Sequence, residues 1–168
     1  MGTRSITKFF DDDVCLVTLY RQYDGYIDGH GYDLARCLTF EDQDIPVRNG
    51  IPMGNQTLMF NGMADLACQV IALLKTRDIR HNEPIVRSQM VGNFYIAHNT
   101  SGLDEEGFGY AVHLRDDRVV IDVHTGGRKI FSATPEELLK TSMEYDDDDV
   151  MVLEKLAVGG GLTQDINF

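Results

Sequence analysis

The chain opens with short alternating apolar runs and later shifts to a helical period. Thr3 to Phe10 is rich in β-branched and aromatic residues and predicts a strand. Asp11-Asp12-Asp13 supplies a polar turn. From Val14 to Arg21 the side chains alternate, with Val14, Leu16, Thr18 and Tyr20 on one face and Cys15, Val17, Leu19 and Arg21 on the other. Both faces are largely apolar, which predicts an interior strand. The short turn predicts an antiparallel hairpin and sets Thr3, Arg4 and Ser5 beside Tyr20, Arg21 and Gln22. A short helix is predicted from Tyr32 to Leu38, and Thr39 to Gln56 reads as a loop. Met63, Leu66, Ala67, Val70, Ile71 and Leu74 then recur at helical spacing and form one stripe. Asn61 stands where it can cap that helix, and Asp65 suits its first turn. Thr76 to Gln89 is charged, carries Arg77, Arg80, His81 and Arg87, and reads as a loop.

The second half reads as a meander. Strands are predicted over Asn93–His98, Gly107–Arg115, Arg118–His124 and Arg128–Ser132, with turns at residues 100–106, at Asp116-Asp117 and at Gly126-Gly127. Thr134-Pro135-Glu136-Glu137 has the form of a capping box with proline at the first helical position, opening a helix to about Thr141. The expected fold class is α+β, a single antiparallel sheet with helices mainly on one face. Residues 1–144 make one domain, and residues 145–168 form an acidic C-terminal extension.

Charge narrows the partners. The 168 residues carry 15 Lys and Arg against 27 Asp and Glu, a net charge of −12. Affinity for nucleic-acid polymers depends on cations that displace counterions from phosphate, so no nucleic-acid polymer is expected as a partner. Anionic membranes are disfavoured for the same reason, and no apolar run is long enough to span a bilayer. Cys15, Cys37 and Cys68 are odd in number, lie in apolar runs and lack a CxxC pair, so buried free thiols in a reducing, cytoplasmic setting are expected. The N-terminus has no apolar signal-peptide core.

Candidate chemistry concentrates between Tyr20 and Leu38, where four tyrosines, three aspartates, Arg21, Gln22 and His30 surround Gly25, Gly29 and Gly31. An EF-hand loop from Asp24 fails, because Tyr26 stands at its third position and Ala35 at its twelfth. Zinc-type His/Cys spacing, a P-loop, a dinucleotide fingerprint and a nucleophile elbow are also lacking, and no metal or cofactor is expected. Gly-rich backbone entering a helix can offer N–H groups to an anion, and Arg4 and Arg21 could add guanidinium donors. Tyrosines beside arginine suit a planar ligand. His30 with Asp24 or Asp33 is the candidate acid–base pair should the protein be a hydrolase or lyase.

Met1-Gly2-Thr3-Arg4-Ser5, Tyr20-Arg21-Gln22-Tyr23-Asp24-Gly25-Tyr26, Gly29-His30-Gly31 and Asn61-Gly62-Met63 resemble the motifs of a family of small uncharacterised proteins of bacteria and their phages. The resemblance covers roughly the first 100 residues and carries no catalytic residue over. It implies that Thr3–Ser5, Tyr20–Asp33 and Asn61–Met63 belong together. The expected function is non-catalytic binding of a small anionic, nucleotide-like ligand, in a phage a counter-defence capture of a host immune signal. The expected ligand residues are Thr3, Arg4, Ser5, Tyr20, Arg21, Gln22, Tyr23, Asp24, Gly25, Tyr26, Gly29, His30, Gly31, Asn61, Gly62 and Met63. Two alternatives stand beside it: a metal-independent hydrolase or lyase acting on a nucleotide-type substrate through His30, and an interaction or assembly protein. Homo-oligomerisation is compatible with each.

Overall fold

The computed structural model describes residues 2–39, 45–51, 53–54, 58–90, 93–98 and 107–144. Part of the expected loop after Thr39, the expected turn at 100–106 and the extension at 145–168 lie outside them. In chain order the elements begin with β1 (Ser5–Asp11), β2 (Val14–Arg21), a π-helical turn (Ile27–Gly31) and α1 (Tyr32–Cys37). Next come β3 (Arg48–Asn49), β4 (Met59–Phe60), α2 (Gly62–Thr76), β5 (Arg77–Asp78), β6 (Glu83–Pro84) and a 3₁₀ turn (Arg87–Gln89). The chain continues with β7 (Phe94–Ile96), β8 (Phe108–Arg115), β9 (Arg118–Thr125), β10 (Arg128–Ala133) and α3 (Pro135–Glu144).

One six-stranded sheet runs in the order β10-β9-β8-β1-β2-β7. It is antiparallel except for the pairing of β1 with β8, and with the three helices it makes an α+β fold. The hairpin register sets Ser5 opposite Arg21 and Thr7 opposite Leu19, as the turn length implied. The meander is β8-β9-β10 alone. The strand expected within it over Asn93–His98 is β7, which lies at the far edge beside β2.

Phe9 and Leu19 from the hairpin, with Tyr110, Val112, Ile121, Val123 and Phe131 from the meander, point to one face. There they meet Leu34 of α1, Met63, Leu66 and Val70 of α2, and Leu138 and Leu139 of α3 in a single core. The helical stripe of α2 is thus buried, with Ile71 at its margin. Cys37 is buried and Cys15 half-buried, but Cys68 is exposed on the outer side of α2, against expectation. The capping box forms: the Thr134 N–H donates to Glu137 Oε2 at 2.8 Å, and the Glu137 N–H to Thr134 Oγ1 at 3.4 Å.

Two expectations fail locally. The Asn61 side chain does not cap α2. Asn49 Oδ1, brought from β3, accepts the Gly62 N–H at 3.0 Å, and Asp65 Oδ2 accepts the Asn61 N–H at 2.8 Å. The cap is therefore tertiary, and spacing within the helix could not reveal it. Likewise, Thr76 to Gln89 is not simply a loop: Arg77 and Asp78 pair with Pro84 and Glu83 to make a small hairpin at the end of α2. Loss of a side-chain cap costs about 0.5–2 kcal/mol. Asn49→Ala should therefore lower the unfolding free energy from chemical denaturation by about that amount, and Asn61→Ala should leave it nearly unchanged. The reverse order would contradict the tertiary cap.

Candidate functional site

Arg21 ends β2 on the helix-covered face, and little of it reaches solvent. A buried guanidinium is stable only where its donors find acceptors. Its Nη1 donates to Asp33 Oδ2 at 2.6 Å and to His30 Nδ1 at 3.2 Å, and its Nε donates to the Tyr23 carbonyl at 2.6 Å. The guanidinium carbon lies 4.9 Å from the centre of the Phe94 ring. The two Nη2 donors have no partner among the described residues.

His30 is 1% exposed and is bonded at both nitrogens. Arginine can only donate, so His30 Nδ1 accepts. Its Nε2 then carries the proton and donates to Thr7 Oγ1 at 2.6 Å. Burial, and then the Arg21 charge, hold the imidazole pKa well below 6.5. The ring packs edge-on against Tyr110 at 5.1 Å, and the Tyr110 hydroxyl donates to the Gly25 carbonyl at 2.9 Å. Burial pushes the Asp33 carboxyl up, while Arg21 opposes that shift. His30 is thus a neutral, fully bonded part of the scaffold.

The glycines serve approach rather than anion binding. Asp24, not a glycine, takes the left-handed conformation in this loop, at φ 55°. At Gly25 a Cβ would stand 2.4 Å from the Arg4 carbonyl oxygen, and at Gly29 it would stand 2.4 Å from that of Asp24. Their N–H groups bond within the fold: Gly25 to the Thr3 carbonyl at 2.8 Å, and Gly29 and Gly31 to the Tyr26 carbonyl at 3.2 and 3.1 Å. The expectation that this backbone offers N–H groups to an anion is therefore corrected.

Beside this network lies a cleft of about 420 Å³. One wall is the loop bearing Asp24, Tyr26, Asp28 and Gly29, and the floor is Arg21, Asp33 and Phe94. The other wall is the β5–β6 hairpin and its approach, with Leu74, Arg77, Asp78, Ile79, Arg80 and His81. Arg80 bridges the walls, donating from Nη2 to the Asp28 carbonyl and lying 5.0 Å above the Tyr32 ring. Exposed His81 bonds Asp78 at 3.0 Å, an interaction that raises the His81 pKa and lowers that of Asp78.

Of the expected ligand residues, Arg21, Asp24, Tyr26 and Gly29 line this cleft. Thr3 and Arg4 meet the loop through their carbonyls, and the hydroxyl of buried Ser5 has no hydrogen-bond partner. Gly25, His30 and Gly31 lie behind the wall as framework. Tyr20 points to the opposite sheet face, where its ring is 4.7 Å from Tyr95 and its hydroxyl bonds Gln22 at 2.9 Å. Tyr23 is exposed and lines no part of the cleft. The four tyrosines do not gather into one pocket. Asn61, Gly62 and Met63 sit at the other end of α2, about 18 Å along its axis from Leu74 at 1.5 Å rise per residue. Arg77, Arg80 and His81 were legible as a charged stretch but not as a wall. Thr7 was missed; its signal is that Ser5 and Thr7, both polar, share a strand face with Phe9.

Among the described residues, no three His, Cys, Asp or Glu side chains are grouped to hold a metal ion, and no helix is long and apolar enough to cross a membrane. Compared with models of known families, with curated proteins and with solved structures, the chain matches none.

The two histidines of this region should titrate apart. His30 is depressed when folded, so the unfolded chain takes up its proton first as pH falls below about 6.5. Its contribution to stability is complete above that pH and is lost as pH falls toward its folded-state pKa. In nitrogen-correlated NMR spectra at pH 6.5, His30 should keep the neutral Nε2–H pattern, and His81 should be more than half protonated. A half-protonated His30 at that pH would contradict the network.

Proposed function

We propose that the protein binds a small anionic, nucleotide-like ligand in the cleft between the 24–29 loop and the β5–β6 hairpin, and holds it without converting it. The supporting observation is a set of guanidinium donors with spare capacity around one concavity. Arg77 has no hydrogen bond or ion pair from its guanidinium to a described residue, and the Nη2 of Arg21, a residue that lines the floor, has no partner among the described residues. Guanidinium forks match phosphate and carboxylate oxygens. The volume falls in the range of small-molecule sites, and Phe94, Tyr26, Leu74 and Ile79 supply apolar lining.

Holding rather than converting is the reading that the His30 geometry supports. A general base needs a nitrogen within reach of the substrate proton. Both nitrogens of His30 are committed to Thr7 and Arg21 behind the cleft wall. The hydrolase or lyase reading through His30 is accordingly the weaker one. Capture without turnover would suit a counter-defence protein that removes a signalling nucleotide, a role supported only by the resemblance to proteins of bacteria and phages.

Titration of adenosine 5′-monophosphate and related nucleotides by calorimetry should show saturable binding. Arg77→Ala should weaken it by about tenfold or more, the scale of a lost charge-assisted bond, with the fold unchanged. Ligand recovered after denaturation should have its original mass. No saturable binding, or recovery of an altered product, would overturn the proposal.

A further inference from the structure

The cleft is dipolar, which restricts the ligand beyond its being an anion. On the loop wall Asp24 and Asp28 both lack a hydrogen bond or ion pair from their carboxylates to any described residue. On the hairpin wall the Arg77 guanidinium is equally unengaged. Elsewhere in the same cleft opposite charges do pair, Arg21 with Asp33 at 2.6 Å and His81 with Asp78 at 3.0 Å. Charges of both signs thus line one concavity: the carboxylates without a partner among the described residues are on the loop wall, and the guanidinium without one is on the hairpin wall, where Asp78 is already paired with His81. Arg80 crosses between the walls, yet it spends its bond on the Asp28 carbonyl and leaves the Asp28 carboxylate free.

Resting on the binding proposal above, we infer that the ligand is bifunctional: a ribose phosphate unit whose phosphate meets Arg77 and Arg80 and whose vicinal hydroxyls donate to Asp24 and Asp28. Ionised carboxylates accept hydrogen bonds and cannot donate them, so they suit hydroxyl groups and repel a second phosphate. In dinucleotide-binding folds an acidic side chain accepts from a ribose hydroxyl in this way. The same two carboxylates make the cleft a poor home for inorganic phosphate or pyrophosphate, which bring charge but few donors. They also oppose binding of the anion alone in a protein of net charge −12. Asp24 and Asp28 are therefore specificity-determining residues, and Arg77 supplies attraction for the phosphate.

Calorimetric titration with four probes tests this: adenosine 5′-monophosphate, its 2′,3′-dideoxy analogue, inorganic phosphate and pyrophosphate. The 5′-monophosphate should bind about tenfold or more tightly than each of the others, the scale of losing bonds to charged groups. In Asp24→Asn/Asp28→Asn the preference for the ribose hydroxyls over the dideoxy analogue should shrink, and phosphate and pyrophosphate should bind more tightly than to the unaltered protein. Asparagine tolerates the left-handed conformation at position 24, so the loop is kept, and thermal melting checks the fold. Equal binding of all four probes, or a double variant with unchanged preferences, would overturn the ribose phosphate inference and leave anion binding standing. Binding of none would overturn both.

Discussion

The buried Arg21 guanidinium is the interaction on which this region depends. A cation removed from water must recover its solvation from the protein, and breaking such a pair by deleting one partner typically costs about 3–5 kcal/mol. The acceptors come from separate segments: Asp33 from α1, His30 from the π-helical turn and the Tyr23 carbonyl from the loop entry. Phe94 of the edge strand closes over the guanidinium plane. Those groups lie along the path of the chain from Tyr23 to Asp33. That path passes so close to β1 that only glycine fits at position 25. Tyr110, from the strand pairing β1 on its other side, ties the same loop through the Gly25 carbonyl.

The division of labour follows from that constraint. Arg21 and Asp33 neutralise each other at the floor, and His30 and Thr7 continue the same hydrogen-bonded chain behind it. On the walls, the side chains of Asp24, Asp28 and Arg77 have no hydrogen-bond or ion-pair partner among the described residues. The β5–β6 hairpin that carries Arg77 and Arg80 is anchored at its base, where the Ile85 N–H donates to the Thr76 carbonyl at 2.7 Å and Lys75 Nζ to that of Met90 at 2.8 Å. The wall is therefore held by the Ile85 and Lys75 bonds at its root and by Arg80 at its tip.

Much of the scaffold was readable from periodicity. Alternation identified the apolar face of the meander strands, the stripe from Met63 to Leu74 identified α2, and Thr134 to Glu137 identified the start of α3. Periodicity gives a face, however, and not a neighbour. The parallel pairing of β1 with β8, and the transfer of β7 to the far edge, depend on contacts between residues far apart in sequence. Two-residue strands carry no period, so the wall from Arg77 to Pro84 read as a charged loop. The grouping of Tyr20 with Arg21 overlooked the period of two itself, since adjacent strand residues must face opposite sides of a sheet. His30 attracted a catalytic reading because it stands among aspartates in sequence. Burial among Thr7, Arg21 and Tyr110 gives it a different part.

The central claim is that the cleft, and no other surface of the domain, holds the ligand. Backbone amide NMR during titration with adenosine 5′-monophosphate tests it most directly. Saturating shift changes should concentrate at residues 24–29, 77–81 and 93–94, with the opposite sheet face around Tyr20 and Tyr95 quiet. Changes centred on that opposite face or at the Asn61 end of α2, or no saturating change at all, would contradict it.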